Sequence, residues 1–190
     1  DGMDNPCIVG RFTDTVDFDP GEGESTLTSF GVTDIYAAKL NSDGELLWAR
    51  QMGGTGIEQG EGIAADSMGN VYTTGFFSGT VDFNPGNGTD EIFSLSDSVF
   101  ISKLDADGNH VWARSLGGNS RDTGIAITVG TDGSVYTTGY FQGTIDLDPG
   151  EGEANVTTGG VTDIFVSRLD VEGDYVWGKQ FPGAGFDQGE

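Results

Sequence analysis

The feature that most limits what this chain can fold into is a stretch that occurs three times. Residues 70–86 read NVYTTGFFSGTVDFNPG, residues 135–150 read VYTTGYFQGTIDLDPG, and residues 9–21 read VGRFTDTVDFDPG. A second stretch repeats in step with it. DIYAAKLNSDGELLWARQMGG at 34–54 returns as SVFISKLDADGNHVWARSLGG at 98–118 and as DIFVSRLDVEGDYVWGKQFPG at 163–183, a spacing of 64 or 65 residues. A fixed period of this length marks units that cannot bury their apolar surfaces alone and must stack on one another.

Each unit carries the same strand signals. Residues 60–66 and 124–130 are short, apolar and bounded by glycine, and suit a first strand, A. Residues 70–77, 134–141 and roughly 5–12 are rich in β-branched and aromatic side chains and suit strand B. Strand C is expected at 34–41, 98–105 and 163–170, and strand D at 45–52, 109–116 and 174–181. The C–D connections are Asn41-Ser42-Asp43-Gly44, Asp105-Ala106-Asp107-Gly108 and Asp170-Val171-Glu172-Gly173, each with an acid before glycine, as tight hairpins prefer. No helical period appears.

Strand C shows how the sheets are covered. In SVFISKL, Val99 and Ile101 point one way while Phe100 and Leu104 point the other, so both faces carry bulk. A sheet that is apolar on both sides needs a neighbour on both sides. Four antiparallel strands, repeated and stacked face to face, describe β-propeller blades. The fold class is therefore all-β. The units are 1–59 (strands B, C and D only), 60–123 and 124–183, with 184–190 opening a further blade. Trp48, Trp112 and Trp177 recur on strand D and read as packing between blades.

The pattern G-N-V-Y-x-T-G-x-F, then D-x-F-D-P-G, then D-I-F-x-x-K-L-D-x-x-G-x-x-x-W-A, then a glycine pair, resembles the bacterial SBBP-type, or seven-bladed, β-propeller repeat. The resemblance runs three times over nearly the whole chain. It implies a place in large secreted or cell-surface bacterial proteins with adhesive, matrix or unknown roles. The first copy departs most, with Pro6 and Cys7 where Val71 and Tyr72 stand, and proline lacks the N–H that a central strand needs.

Charge narrows the function. The formal net charge is −23, which excludes nucleic-acid binding through phosphates, since that needs clustered Lys and Arg. Anionic membranes would repel such a chain, and no stretch suits membrane insertion. Six of the eight basic residues recur with the repeat: Lys39, Lys103 and Arg168 on strand C, and Arg50, Arg114 and Lys179 on strand D. They read as ion pairs or as stems lying along blade edges. Cys7 is the one cysteine and suits a buried structural thiol; His110 is the one histidine and suits an exposed strand position. These two form neither a zinc set nor a catalytic triad, and no enzyme is expected.

The acidic segment after strand B is the strongest chemical candidate. It supplies Asp17, Asp19 and Glu22 in the first unit, Asp82 and Asn84 in the second, and Asp146, Asp148 and Glu151 in the third. Closely spaced carboxylates with glycine suit Ca2+, which takes six to eight hard oxygen ligands. The competing reading is a Pro-Gly turn in which Asp17 and Asp19 bond local backbone. The B–C connection of about twenty residues is long enough to be functional or flexible. Glu58, Asp122 and Asp187 precede strand A, where a hydrogen bond to the neighbouring blade competes with ligand binding at the mouth of the channel.

The segment Asp187-Gln188-Gly189-Glu190 matches Glu58-Gln59-Gly60-Glu61, and Asp1-Gly2-Met3 matches Asp66-Ser67-Met68. Three readings follow: a window of a longer repeat protein, a three-blade piece that assembles with copies of itself into a ring or filament, or a tolerated incomplete blade. The expected function is a non-enzymatic extracellular or cell-surface repeat module. Its partners would be other copies of itself or further blades. The alternative is a glycan-binding or glycan-processing propeller, which an aromatic and acidic cluster peculiar to one blade would favour.

Overall fold

The structure is a computed structural model that describes residues 1–189. Its fifteen strands are β1 (Cys7–Phe12), β2 (Thr15–Asp17), β3 (Thr26–Thr28), β4 (Asp34–Leu40), β5 (Leu46–Gly54), β6 (Gln59–Ala65), β7 (Val71–Asp82), β8 (Glu91–Leu104), β9 (His110–Gly118), β10 (Asp122–Val129), β11 (Val135–Phe141), β12 (Thr144–Asp146), β13 (Asn155–Thr157), β14 (Asp163–Leu169) and β15 (Tyr175–Phe181). Every pairing between these strands is antiparallel. Among the described residues no helix is long and apolar enough to cross a membrane.

The strands fall into three blades. Blade 1 is β1-β4-β5, blade 2 is β6-β7-β8-β9, and blade 3 is β10-β11-β14-β15. The turns that join strands C and D form for a local reason. The Asn41 side chain accepts the N–H groups of Asp43 and Glu45, and Gly44 takes a φ of +84°. Asp105 and Asp170 do the same for their turns, closed by Gly108 and Gly173. Only glycine enters that left-handed region without strain. Strand pairing begins at Cys7 in blade 1, and the carbonyl of Pro6 still accepts the Leu40 N–H at 3.0 Å.

Two apolar cores lie between the blades, one at each seam. Ile35, Trp48 and Met52 of blade 1 meet Val71, Phe77, Phe100 and Leu104 of blade 2. Val99, Ile101, Trp112 and Leu116 of blade 2 meet Ile127, Val135, Phe141 and Phe165 of blade 3. Strand β8 thus divides as its alternation requires, odd positions toward one neighbour and even positions toward the other. Burying side chains of this size removes about 1.5–3 kcal/mol each from contact with water, which holds the blades together.

The B–C connection is ordered as a second hairpin. It is formed by β2 and β3 in blade 1, by the outer halves of β7 and β8 in blade 2, and by β12 and β13 in blade 3. This hairpin ties neighbouring blades by backbone pairing. Gly53 and Gly54 at the end of β5 pair with Asp82 and Val81, and Gly117 and Gly118 at the end of β9 pair with Asp146 and Ile145. A Cβ on Gly54 would fall on the Thr80 carbonyl oxygen, and one on Gly118 on the Thr144 carbonyl oxygen, so the recurring glycine pair is what lets the backbones approach.

Candidate functional site: the seams between blades

Each seam is gripped by the same two side chains. The Trp48 indole N–H donates to the Ala106 carbonyl at 3.0 Å, and Arg50 donates from Nε to Gly108 at 2.9 Å and from Nη2 to Asp107 at 2.8 Å. One blade further on, Trp112 donates to Val171 at 3.1 Å, and Arg114 to Gly173 at 3.0 Å and Glu172 at 2.9 Å. Each guanidinium also lies over its tryptophan ring, 5.7 Å and 5.5 Å from the ring centre. The C–D turn of one blade is therefore held as a backbone ligand by strand D of the blade before it. The expectation of inter-blade tryptophans holds for Trp48 and Trp112, whereas Trp177 lies against Tyr136 of its own blade. The strand-D arginines bond chiefly to carbonyl oxygens rather than to acids, because the tight turn presents a row of carbonyls to a planar donor fork. Arg114 adds a longer contact of 3.8 Å to Asp174.

The lysines of strand C also reach across. Lys39 donates to the Gly69 carbonyl at 3.2 Å and pairs with Asp1 at 2.6 Å, both side chains fully buried. Lys103 lies over the Tyr72 ring and donates to the Val171 carbonyl at 3.3 Å. Asp1 and Asp66 play matching roles, each accepting the N–H groups two and four residues on.

The acidic loops are built from inside. Asp17 accepts the N–H groups of Asp19 and Ser25, Asp82 those of Asn84 and Asp90, and Asp146 those of Asp148 and Ala154. Asp19, Asn84 and Asp148 accept from Gly21, Gly86 and Gly150. The Ser25 and Asp19 N–H groups hold the exposed Asp17 carboxyl below its usual range. Glu22 and Glu151 are exposed. Among the described residues no three His, Cys, Asp or Glu side chains gather into a set that would hold a metal. In this conformation the inner carboxylates serve the turn.

Three acids sit at the inner end of strand A. Glu58 and Asp122 are fully buried. Burial pushes each carboxyl up to about 7, against the opposing pull of N–H donors at Gly54 for Glu58 and at Gln142 and Gly118 for Asp122. Asp187 has the same place, with its own N–H on Thr162, as Glu58 has on Thr33. These acids bond backbone within and across the seam, and among the described residues Oε1 of Glu58 and Oδ2 of Asp187 are buried without a partner.

Two single residues complete the inventory. Cys7 is half-buried, and burial raises its thiol above the usual range. His110 is not the exposed strand residue that its sequence position suggests. Its Nε2 lies 2.9 Å from Asp90 Oδ2, its side chain is only 14% exposed, and its Nδ1 has no partner among the described residues. The hairpin that carries Asp90 folds back over β9, a neighbour that the sequence period does not reveal.

A match to a known family falls on residues at the first seam. Residues 47–75, which run from β5 through β6 into β7, match the SBBP beta-propeller repeat. The matched segment carries Trp48, Arg50, the glycine pair and Glu58, so the family pattern includes one side of the blade-to-blade grip. An uncharacterized WD repeat-containing protein from Acanthamoeba polyphaga mimivirus is 27% identical over 117 residues, covering 54% of this chain and 8% of that protein. The regulatory protein FlaEY from Caulobacter vibrioides is 33% identical over 128 residues, covering 64% of this chain and 13% of that protein. The chain therefore spans a small part of either relative's length.

Proposed function

We propose that this chain is a non-enzymatic SBBP-type interaction module, structural or adhesive, that works at the cell surface or outside the cell by docking blade on blade. The observation that carries the reading is the repeated grip. Trp177 and Lys179 on blade 3 hold the places of Trp48 and Arg50, and the Asn41–Gly44 turn on blade 1 holds the place of the turns that they grip. Among the described residues the Trp177 indole has no hydrogen-bond partner, and a Cβ on Gly44 would meet open space. A blade bearing such a turn, from a second copy or a longer polypeptide, would complete both. Both relatives' names, a WD repeat-containing protein and a regulatory protein, accord with an interaction role.

Blade 3 differs from blades 1 and 2 in one way that shapes this docking. Pro182 stands where Gly53 and Gly117 pair with the next hairpin, so one N–H is missing and the grip rests more on Trp177. Sedimentation velocity tests the proposal. The chain is expected to associate with rising concentration and Trp177→Ala to abolish it; a monomer up to 0.5 mM (a probe concentration of about that order suffices for weak interfaces) would overturn the self-docking form.

A further inference from the structure

Blade 2 departs from its neighbours at one place, and the departures are adjacent in space. In blades 1 and 3 a buried aspartate opens strand C and a glutamine answers it from strand D. Gln51 donates to Asp34 at 2.6 Å and to the Thr28 carbonyl at 2.8 Å; Gln180 donates to Asp163 and, at 2.7 Å, to the Thr157 carbonyl. In blade 2 those positions are Ser98 and Ser115. Blades 1 and 3 also carry cross-strand hydroxyl pairs, Thr15 with Thr28 at 2.9 Å and Thr144 with Thr157 at 2.8 Å. Blade 2 sets Phe93, 64% exposed, opposite Thr80 instead. Its B–C connection is one residue shorter, since Tyr72 pairs with Lys103 where Cys7 pairs with Lys39 and Tyr136 with Arg168.

These exchanges change the lining of a groove of about 360 Å3 at the seam of blades 2 and 3, which has a counterpart of about 320 Å3 at the other seam. Phe93, Ser98, Ser115 and Asn119 come from blade 2, and Asp146 and Asp148 from blade 3. The corresponding groove between blades 1 and 2 is walled by Arg50 and Gln51 and meets Asn84 in place of Asp148.

The chemistry of the wall selects a ligand class. Asp146 and Asp148 use Oδ1 for turn N–H groups, and Oδ2 of each has no donor among the described residues. Ser98 bonds Ser94 at 2.6 Å, while the Ser115 hydroxyl and Asn119 amide make no such bond. Two carboxylates disfavour an anion. Among the described residues no three acidic or histidine side chains converge for a cation. Hydroxyls, an amide and carboxylates beside an exposed aromatic face suit a neutral ligand with many hydroxyls and an apolar ring face. We infer that this groove binds a hexose unit of a neutral polysaccharide, with hydroxyls donated to Asp146 and Asp148 and the sugar ring against Phe93.

Backbone amide NMR titration with cellohexaose, laminarihexaose and chitohexaose tests this, independently of any self-association. At least one hexasaccharide is expected to shift the amides of Ser98, Ser115 and Asn119 at millimolar concentration. A variant carrying F93T, S98D and S115Q installs the residues of blades 1 and 3, and is expected to bind at least tenfold more weakly while keeping its melting transition. Asp148→Asn copies Asn84, which makes the same turn bond to glycine at 2.9 Å, and is expected to weaken binding without unfolding. No shift with any of the three sugars at 10 mM (about the weakest binding that such a groove would show) overturns the inference. Shifts confined to other blades, or binding unchanged in both variants, overturn it equally.

Discussion

The Trp48 indole N–H donates to the carbonyl of Ala106, 58 residues along the chain, at 3.0 Å. Trp112 and Val171 repeat the relationship at a separation of 59. One donor thus joins a strand to a turn in the next blade, and it also caps the apolar core of the seam. Truncating either end should loosen two blades together.

Trp48→Phe keeps most of the buried ring and deletes the donor. It should cost on the order of 1–2 kcal/mol, the value of a hydrogen bond plus a small packing loss. Trp48→Ala should cost about 3–5 kcal/mol through the cavity that it opens. Urea denaturation of the two variants measures both, and a Trp48→Phe variant as stable as the parent would show that the N–H is unimportant.

The glycine pair offers a backbone test. Gly118→Ala places a methyl group against the Thr144 carbonyl oxygen, so the β9–β12 pairing must shift, at about 1–3 kcal/mol or more. Gly185→Ala meets nothing within 4 Å and should be nearly neutral. Thermal melting of the pair separates close approach from a general effect of glycine replacement.

Stability should fall as pH rises from about 4 to about 7. Glu58 and Asp122 titrate near 7 when folded, against ordinary values of 4.5 and 3.8, because burial disfavours their charge. A carboxyl with a raised folded pKa binds its proton more tightly in the native state. Its contribution is complete below the unfolded pKa and is lost as pH climbs to the folded one. Asp163, held low first by the Gly183 N–H, acts in the opposite sense, its contribution fading as the solution is acidified below its ordinary 3.8. Glu58→Gln should flatten the fall and raise stability at pH 7.5 by about 1–3 kcal/mol. Urea curves at pH 4.5, 6.0 and 7.5 (values spaced across roughly the window in which the group titrates) read the difference; parallel profiles would refute it.

Calcium removal should change little. Asp17, Asp82 and Asp146 already accept two backbone N–H groups each. A ligand that binds only the folded chain raises its melting temperature by mass action. Melting with millimolar calcium and with chelator should agree within about 1 °C, and a clear rise with calcium would support the metal reading instead.

Much of the architecture is legible before any coordinates. The alternation of Val99, Phe100 and Ile101 already requires neighbours on both faces, and the two cores supply them. The Asx-Gly turns follow from local bonding alone. The hairpin within the B–C connection is harder to read, because its strands are three residues long in blades 1 and 3 and mostly exposed. Its register comes from pairing with the glycine pair of another blade. The acidic candidates are visible as a motif, but their use by turn N–H groups emerges only from the folded loop. The groove beside Phe93 is spread over residues 93, 98, 115 and 146, which no local pattern connects.

The sequence by itself determined the repeat, the four-strand unit and the two-faced sheets, because these rest on periodicities of 2 and of 64 or 65 residues that any folded state must satisfy. Tertiary structure alone decided what the recurring residues do. Trp48 and Arg50 could stack, pair with acids or hold carbonyls, and the next blade's turn, brought within 3 Å, selected the carbonyls. The same proximity drew water away from Glu58 and Asp122 and moved their titration to about 7, since desolvation depends on which blade lies above them and not on their neighbours in the chain.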